Sequence, residues 1–314
     1  MSSGSHEITA PGRPQVQEVS DGLFAYVQPD GTWWINNTGF LVSRQGVMSI
    51  DACATERRTR AYLEAIATVT RQPVRTLVNT HHHGDHTFGN HLFATATIVA
   101  HERTRQEVLD FGGPPVHMPF WDPVDWGAIV LDPPFLTYTD QVTLHVDDLA
   151  CQVRHVGTPA HTTNDSIVWI PDRSVLYCGD LIFNGGTPFL LMGSVAGAVQ
   201  VLDQVLRPLG AETIVPGHGP VCDDSLIDTT LSYLQLVLVT AKDGIAAGLS
   251  PLEAALDTDL GPFAEWSDAE RIVGNLHRAY AEINGAERGA RIDVVAALAD
   301  MVTYNGGKPL TCSA

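Results

Sequence analysis

The stretch Thr80-His81-His82-His83-Gly84-Asp85-His86-Thr87 sets the imidazoles of His81, His83 and His86 and the carboxylate of Asp85 within six residues. A solvated loop has no need of that density, and these side chains are nitrogen and oxygen donors for a metal ion. Val74 to Asn79 is apolar and β-branched, which predicts a buried strand ending at Thr80. Gly84 is expected to permit the tight turn that folds the following side chains back toward the strand end. Two residues apart, His81 and His83 project to one side while Asp85 and His86 reach the other. Two metal ions side by side suit that arrangement.

Further donors recur in one pattern. His161 stands in Gly157-Thr158-Pro159-Ala160-His161-Thr162, directly after the strand-like Cys151 to Val156. Asp180 closes Ser174-Val175-Leu176-Tyr177-Cys178-Gly179-Asp180, and His218 lies in Thr213-Ile214-Val215-Pro216-Gly217-His218-Gly219. Each follows a β-like run beside a glycine or proline, as loops at one edge of a sheet would gather distant residues into one site.

Five histidines with two aspartates suit two Zn2+ ions, and Fe or Mn accept the same donors. Two metals flanking one water lower its pKa from near 15.7 to roughly 7. They also polarise a carbonyl and stabilise its developing oxyanion. No nucleophile-elbow sequence is present, so the chemistry read here is hydrolysis of a carbonyl compound. The same Lewis acidity stabilises an enolate, which opens an aldol-type ring closure.

The elements that must position these residues are legible in outline. Val19 to Val27 alternates as an edge hairpin, and Phe40 to Val42 and Val47 to Ile50 read as two more strands. Helical spacing runs over Glu56 to Thr70, with a strand over Thr97 to His101 and a helix over Glu102 to Asp110. His91 and His101 fit no ligand position. Ser166 to Ile170 and Ser174 to Tyr177 form a hairpin, and Gly197 to Leu206 a helix. Beyond Val221 the pattern turns helical, over Leu226 to Lys242, Pro251 to Leu256, Ser267 to Ile283 and Arg291 to Met301, as a cover without chemistry of its own.

Two segments break the regular pattern. Residues 111–134 carry six prolines with Phe120, Trp121 and Trp126, and a long irregular segment in a compact domain is a lid or a packed surface loop. Trp33 and Trp34 occupy a polar, glycine-bearing loop and serve either packing or substrate. Asn184 and Thr187, beside Asp180, are placed for substrate contact or for turn duty.

The chain has 314 residues, and 44% of them are hydrophobic, enough for a large core. Thirty-six acidic against 18 basic residues give a net charge of −18, which repels nucleic acid and anionic membranes. Five scattered cysteines point to a reducing compartment and free thiols. Residues 1–14 lack a basic and an apolar signal region, and no apolar run reaches transmembrane length, so the expected location is cytoplasmic. The expected division is a disordered tail over 1–15, a core over 16–222 with the loop 111–134, and a helical region over 223–314 packed on that core.

From Val16 to Pro220 the chain resembles the metallo-β-lactamase superfamily. The motifs that carry the resemblance are Asp51 after a strand, His81-x-His83-x-Asp85-His86, His161, Asp180 and His218, in that order. It implies an α/β four-layer αβ/βα sandwich with a helical C-terminal extension. It implies that His81, His83 and His161 hold one metal, that Asp85, His86 and His218 hold the second, and that Asp180 bridges them. Asp51 would orient a ligand histidine through its free ring nitrogen, and Asp85 and Asp180 would be the catalytic carboxylates. Asp180 in place of Cys or Ser resembles the glyoxalase II, lactonase and thioesterase branches rather than true β-lactamases. His83 departs from the flavin-linked diiron branch, which has Glu there, and the acidic charge argues against a nuclease.

Tyr26 to Asn37, with Asp180 to Pro188, is similar to the metallo-β-lactamase-fold cyclases of type II aromatic polyketide pathways. That likeness implies a zinc-dependent cyclase or thioesterase acting on an aromatic polyketide held on an acyl carrier protein. Trp33, Trp34, Trp121 and Asn184 would then face the substrate. The alternative reading is a general dinuclear zinc hydrolase of small lactones, esters or glutathione thioesters.

Overall fold

Period-2 alternation in the strands decides the layering. A computed structural model describes residues 13–29 and 31–314. The expected disordered tail therefore falls, but for its last three residues, outside the described part. Among the described residues the first sheet has seven strands in chain order: β1 (Gln15–Ser20), β2 (Leu23–Val27), β3 (Thr38–Val42), β4 (Val47–Ile50), β5 (Val74–Val78), β6 (Thr97–His101) and β7 (Leu136–Tyr138). Pairing is antiparallel up to β4 and parallel from β4 to β7. The second sheet has five: β8 (Gln141–Val146), β9 (Leu149–His155), β10 (Ser166–Ile170), β11 (Val175–Tyr177) and β12 (Thr213–Val215). It is antiparallel from β8 to β11 and closes with the parallel pair β11–β12.

Successive side chains of a strand point to opposite faces, and here they sort into three separate clusters. Leu41, Met48, Ile50, Val78 and Val99 meet Val153, Val168, Ile170, Val175 and Tyr177 between the two sheets. Phe40, Val47, Leu77 and Ile98, the alternate residues of the first sheet, meet Tyr62 and Ile66 of α1 (Glu56–Val69). Ile167, Trp169, Leu176 and Ile214 of the second sheet meet the helices on its far side. Burying one such side chain contributes roughly 1.5–3 kcal/mol, so slipping any central strand by one residue would misplace two cores at once. Three interfaces make four layers, the αβ/βα sandwich.

The remaining helices are α2 (Gly84–Thr87), α3 (Glu102–Phe111), α4 (Val195–Val201), α5 (Ser225–Ala247), α6 (Pro251–Leu256), α7 (Arg271–Ile283) and α8 (Val294–Tyr304). Thr55 caps α1 through the Arg58 amide, and Ser250 with Glu253 closes a capping box on α6. Among the described residues no helix is long and apolar enough to cross a membrane. All five cysteines are free.

Candidate metal centre

Strand direction brings the donors together. Chain direction makes β4 parallel to β5 and β11 parallel to β12. The strand β9 lies two antiparallel steps from β11 and so runs with it. Their C-terminal ends, carrying Asp51, the His81 stretch, His161, Asp180 and His218, open at one edge of the sandwich.

There the side chains form two groups that share Asp180. One is His81, His83, His161 and Asp180; the other is Asp85, His86, Asp180 and His218. Within each group the donor atoms lie within 4.8 Å of one another. Asp180 Oδ2 stands 3.4 Å from His161 Nε2, 3.3 Å from His218 Nε2 and 3.9 Å from His81 Nε2. Its Oδ1 is 3.0 Å from His86 Nε2. Asp85 Oδ2 lies 3.3 Å from His218 Nε2 and 3.7 Å from His86 Nε2.

For His86, His161 and His218 the ring nitrogen facing away from the centre is hydrogen-bonded. His86 Nδ1 bonds Asp51 Oδ2 at 2.8 Å, His161 Nδ1 bonds the Phe189 carbonyl at 2.5 Å, and His218 Nδ1 bonds the Gly31 carbonyl at 3.0 Å. Such outward bonds fix the tautomer and aim the other nitrogen at the shared centre. Asp51 also accepts from the Thr80 amide and hydroxyl, both at 2.7 Å, and sits at a φ of 61°. A left-handed backbone at a non-glycine residue is costly, and this one places the carboxylate between the His81 stretch and His86.

Two glycines matter here for space. A Cβ on Gly217 would stand 1.9 Å from Asp180 Oδ1, so a side chain there would displace the central carboxylate. Gly84 has no positive φ; its Cβ would fall 2.2 Å from the Phe88 ring. The expected turn role of Gly84 is thus corrected: the ring of Phe88 in the following turn requires it, not backbone freedom.

Burial pushes the His81 and His83 imidazoles well below their ordinary pKa, leaving them neutral. Burial also opposes charge on His86 and His218. The carboxylates outweigh it, Asp180 foremost, holding His86 well above the usual range and His218 at about 9. Burial would likewise raise Asp180, yet His218, His86 and His161 hold its carboxyl well below normal. A buried, ionised Asp180 thus sits among imidazoles.

Beside the donors opens a cavity of about 110 Å³. Trp33, Trp34, Trp121, Phe183 and Phe189 wall it, and Asp85, Asp180 and His218 form its floor. The Trp121 ring meets Trp33 at 5.6 Å and Trp34 at 5.3 Å, both edge-on. Trp126 packs on Trp34 and Phe88 instead, behind the wall. Asn184, expected at the substrate, donates its amide to the Pro220 carbonyl at 2.9 Å and lies outside the cavity lining, bracing the loop of His218. Thr187 offers its carbonyl to Arg271.

The helical region was expected to carry no chemistry, and this is corrected. Arg271 of α7 lines the cavity with Val294 and Leu298 of α8. Its guanidinium lies 4.3 Å over the Trp33 ring and pairs with Asp268 at 2.7 Å. The sequence holds a signal for it: Arg271, Asn275 and Arg278 share one helix face. That spacing alone does not separate a buried polar face from a solvated one.

The residues fit a pair of metal ions. His81 Nε2, His86 Nε2 and Asp180 Oδ1 are buried without a hydrogen-bond partner, and His83 turns its Nδ1 to His161 Nε2 at 2.8 Å. Buried polar atoms are nearly always paired, and three such orphans at one carboxylate mark a place made for cations. Neutral imidazole and carboxylate are the donors that borderline divalent ions take.

Comparison with known proteins agrees with this geometry. The family model described as the metallo-beta-lactamase superfamily matches residues 31–218. A hydroxyacylglutathione hydrolase of Rhodospirillum rubrum is 31% identical over 142 residues, 44% of this chain and 45% of that protein. The chain thus spans less than half the length of that relative. The alpha subunit of 2,4-dinitroanisole O-demethylase from Nocardioides sp. is 26% identical over 244 residues, 77% of this chain and 66% of that one. Among solved structures, a metallo-β-lactamase from Pontibacter korlensis superposes with a TM-score of 0.59 at 22% identity, covering 71% of this chain and 99% of that one.

Proposed function

The chain belongs to the metallo-β-lactamase superfamily, and from that membership we propose that it is a dinuclear zinc hydrolase of thioesters whose acyl group is flat and aromatic. The observation that carries the reading is the joining of an aromatic-walled cavity to the donor cluster in one space. His81, His83 and His161 would hold one ion, Asp85, His86 and His218 the other, with Asp180 between. When bound, such a pair supplies Lewis acidity and a nucleophile at neutral pH.

The chain's own residues do the rest. Trp33, Trp34, Trp121 and Phe189 stack on and orient a flat acyl group, and the apolar wall excludes bulk water from the carbonyl. Asp85, which reaches the cavity with its Oδ2 3.3 Å from His218 Nε2, accepts the proton released as water adds to the carbonyl carbon. The carbon–sulfur bond then breaks, and Asp85 returns the proton to the departing thiolate. Carrier-bound aromatic polyketides belong to this substrate class, and with such a chain Asp85 would equally take the α-proton that starts an aldol ring closure. The relative named for demethylating 2,4-dinitroanisole, an aromatic ether, supports a flat ring in the cavity.

A second reading is hydrolysis of glutathione thioesters, favoured by relatives named hydroxyacylglutathione hydrolase. Glutathione brings two carboxylates. Histidines aside, Arg271 is the cation lining the cavity among the described residues, and Asp268 already pairs with it. Turnover of a benzoyl or naphthoyl pantetheine thioester, followed by thiol release on the zinc-loaded protein, should exceed that of acetyl pantetheine and of a hydroxyacylglutathione. Faster turnover of the glutathione thioester would reverse the order of the two readings.

A further inference from the structure

Helix α7 turns a buried polar face to the segment 187–191. Arg271 Nη1 donates to the Thr187 carbonyl at 3.0 Å, and Asn275 Nδ2 to the Pro188 carbonyl at 2.8 Å. Arg278 donates twice to the Leu191 carbonyl, at 3.0 Å from Nε and 2.7 Å from Nη2. In return the Leu190 amide donates to Asn275 Oδ1 at 2.8 Å. A helix that had only to cover a sheet would do so with apolar residues, because buried polar groups stabilise nothing unless paired. Here the side chains match the backbone groups of one short segment.

Fully buried Asn275 brackets Phe189 from both sides, through Pro188 before it and Leu190 after it. Phe189 has two duties at the site. Its carbonyl accepts the Nδ1 hydrogen of His161 at 2.5 Å, leaving His161 Nε2 to face Asp180 at 3.4 Å. Its ring walls the cavity, 5.0 Å from Trp33 and 6.2 Å from His83. One asparagine on a helix outside the matched family region, 31–218, therefore governs a peptide that serves donor and cavity alike.

We propose that Asn275 is a positioning residue that, by fixing Phe189, sets both the ring of His161 and the aromatic wall. The inference rests on the metal-centre reading given above. Losing Asn275 would leave Pro188 O and Leu190 N–H without their side-chain partner, freeing the Phe189 peptide to turn. The His161 imidazole would then lose its fixed acceptor, while the His86 and His218 anchors, Asp51 and Gly31, stay untouched.

The test is zinc affinity by chelator competition on the whole protein. Asn275→Ala should retain wild-type affinity at one of two sites and bind about 10–100-fold more weakly at the other, the usual cost of losing a group that supports a ligand. It should also narrow the preference for aromatic over acetyl thioesters. Tyr233→Phe is the control, since it removes the other partner of the Asn275 amide, a hydroxyl 2.9 Å away, and leaves Pro188 and Leu190 bonded. It should bind both ions as the wild type does. Two unchanged sites in Asn275→Ala, or equal weakening in Tyr233→Phe, would overturn the proposal. If Asn275→Ala does not fold, Asn275→Asp keeps the acceptor for Leu190, loses the donor to Pro188, and should weaken the same single site. A wild-type protein that binds no metal overturns both readings, whereas a two-ion wild type with an unaffected variant overturns this one alone.

Discussion

Asp180 is the residue on which both donor groups depend, with four histidine nitrogens within 3.9 Å of its carboxylate. Asp180→Ala should bring bound zinc below two per chain and abolish turnover. Its far-ultraviolet dichroism should stay close to wild type, because Asp180 sits in a single 3-10 turn, Gly179–Leu181, and not in a core cluster. Asp85 has a narrower part. Asp85→Asn keeps an oxygen donor toward His218 but cannot accept a proton, so much of the metal should remain while kcat falls by about 10²–10⁴, the usual worth of a positioned base. Near wild-type rates with full metal would remove Asp85 as the base. At this scale the sequence was most readable. His81, His83, Asp85 and His86 are close in the chain, and each remaining donor followed a strand-like run. Asn184 misled because a polar residue beside a donor looks alike whether it faces a ligand or a carbonyl of its own loop.

At the scale of elements, the aromatic wall and the sheet edge each carry a prediction. Trp121 is half-buried while Trp34 is nearly closed off. Trp34→Ala should therefore cost core stability of about 3–5 kcal/mol, and Trp121→Ala is the cleaner probe of the substrate. Its loss should lower kcat/KM on an aromatic thioester about tenfold, given roughly 0.5–1.5 kcal/mol per aromatic pair beyond area burial. The rate on an acetyl thioester should barely move; equal loss on both would make Trp121 a packing residue. At the sheet edge, His101 at the end of β6 stacks on His155 at the end of β9, ring centroids 4.1 Å apart. Burial, then the charge of His101, lowers His155 to about 4. The folded state thus refuses a proton that the unfolded chain takes up near pH 6.5, so this contribution is whole above that pH. It is lost as pH falls toward 4. Urea melts at pH 7 and pH 5 should show a smaller drop for His155→Gln than for wild type. The long strands and helices were foreseen within a few residues, because period 2 and period 3.6 leave clear marks. Short β7, with three residues, is too brief to show a period, whereas β8 was missed although Gln141 to Val146 alternates polar and apolar.

For the molecule as a whole, the layers and the donors are one construction. Ions bound to the native state alone add stability by mass action, about 2.7 kcal/mol when free metal is a hundred times the Kd. Chelation should therefore lower the melting temperature by several degrees, and zinc should restore it; an unchanged midpoint would mean that the ions are not integral to the fold. The family region and its donor order were legible in the chain because strand-end motifs are local. The partnership of α7 with residues 187–191 was not, because it joins segments some 85 positions apart in the chain and leaves no local trace in either.

The split of the donors between two sheets sets an order in time. His81, His83, Asp85 and His86 follow β5, whereas His161, Asp180 and His218 follow β9, β11 and β12. Neither half is complete until the sheets have docked face to face. Ion capture is then a late event, after the barrier to folding rather than before it. In stopped-flow experiments zinc should leave the refolding rate nearly constant and slow unfolding, the signature of an interaction absent from the transition state. Refolding slowed by zinc would show instead that the His81 stretch seizes the ion while the chain is still open, and a cell making this protein would gain by withholding metal until synthesis is done.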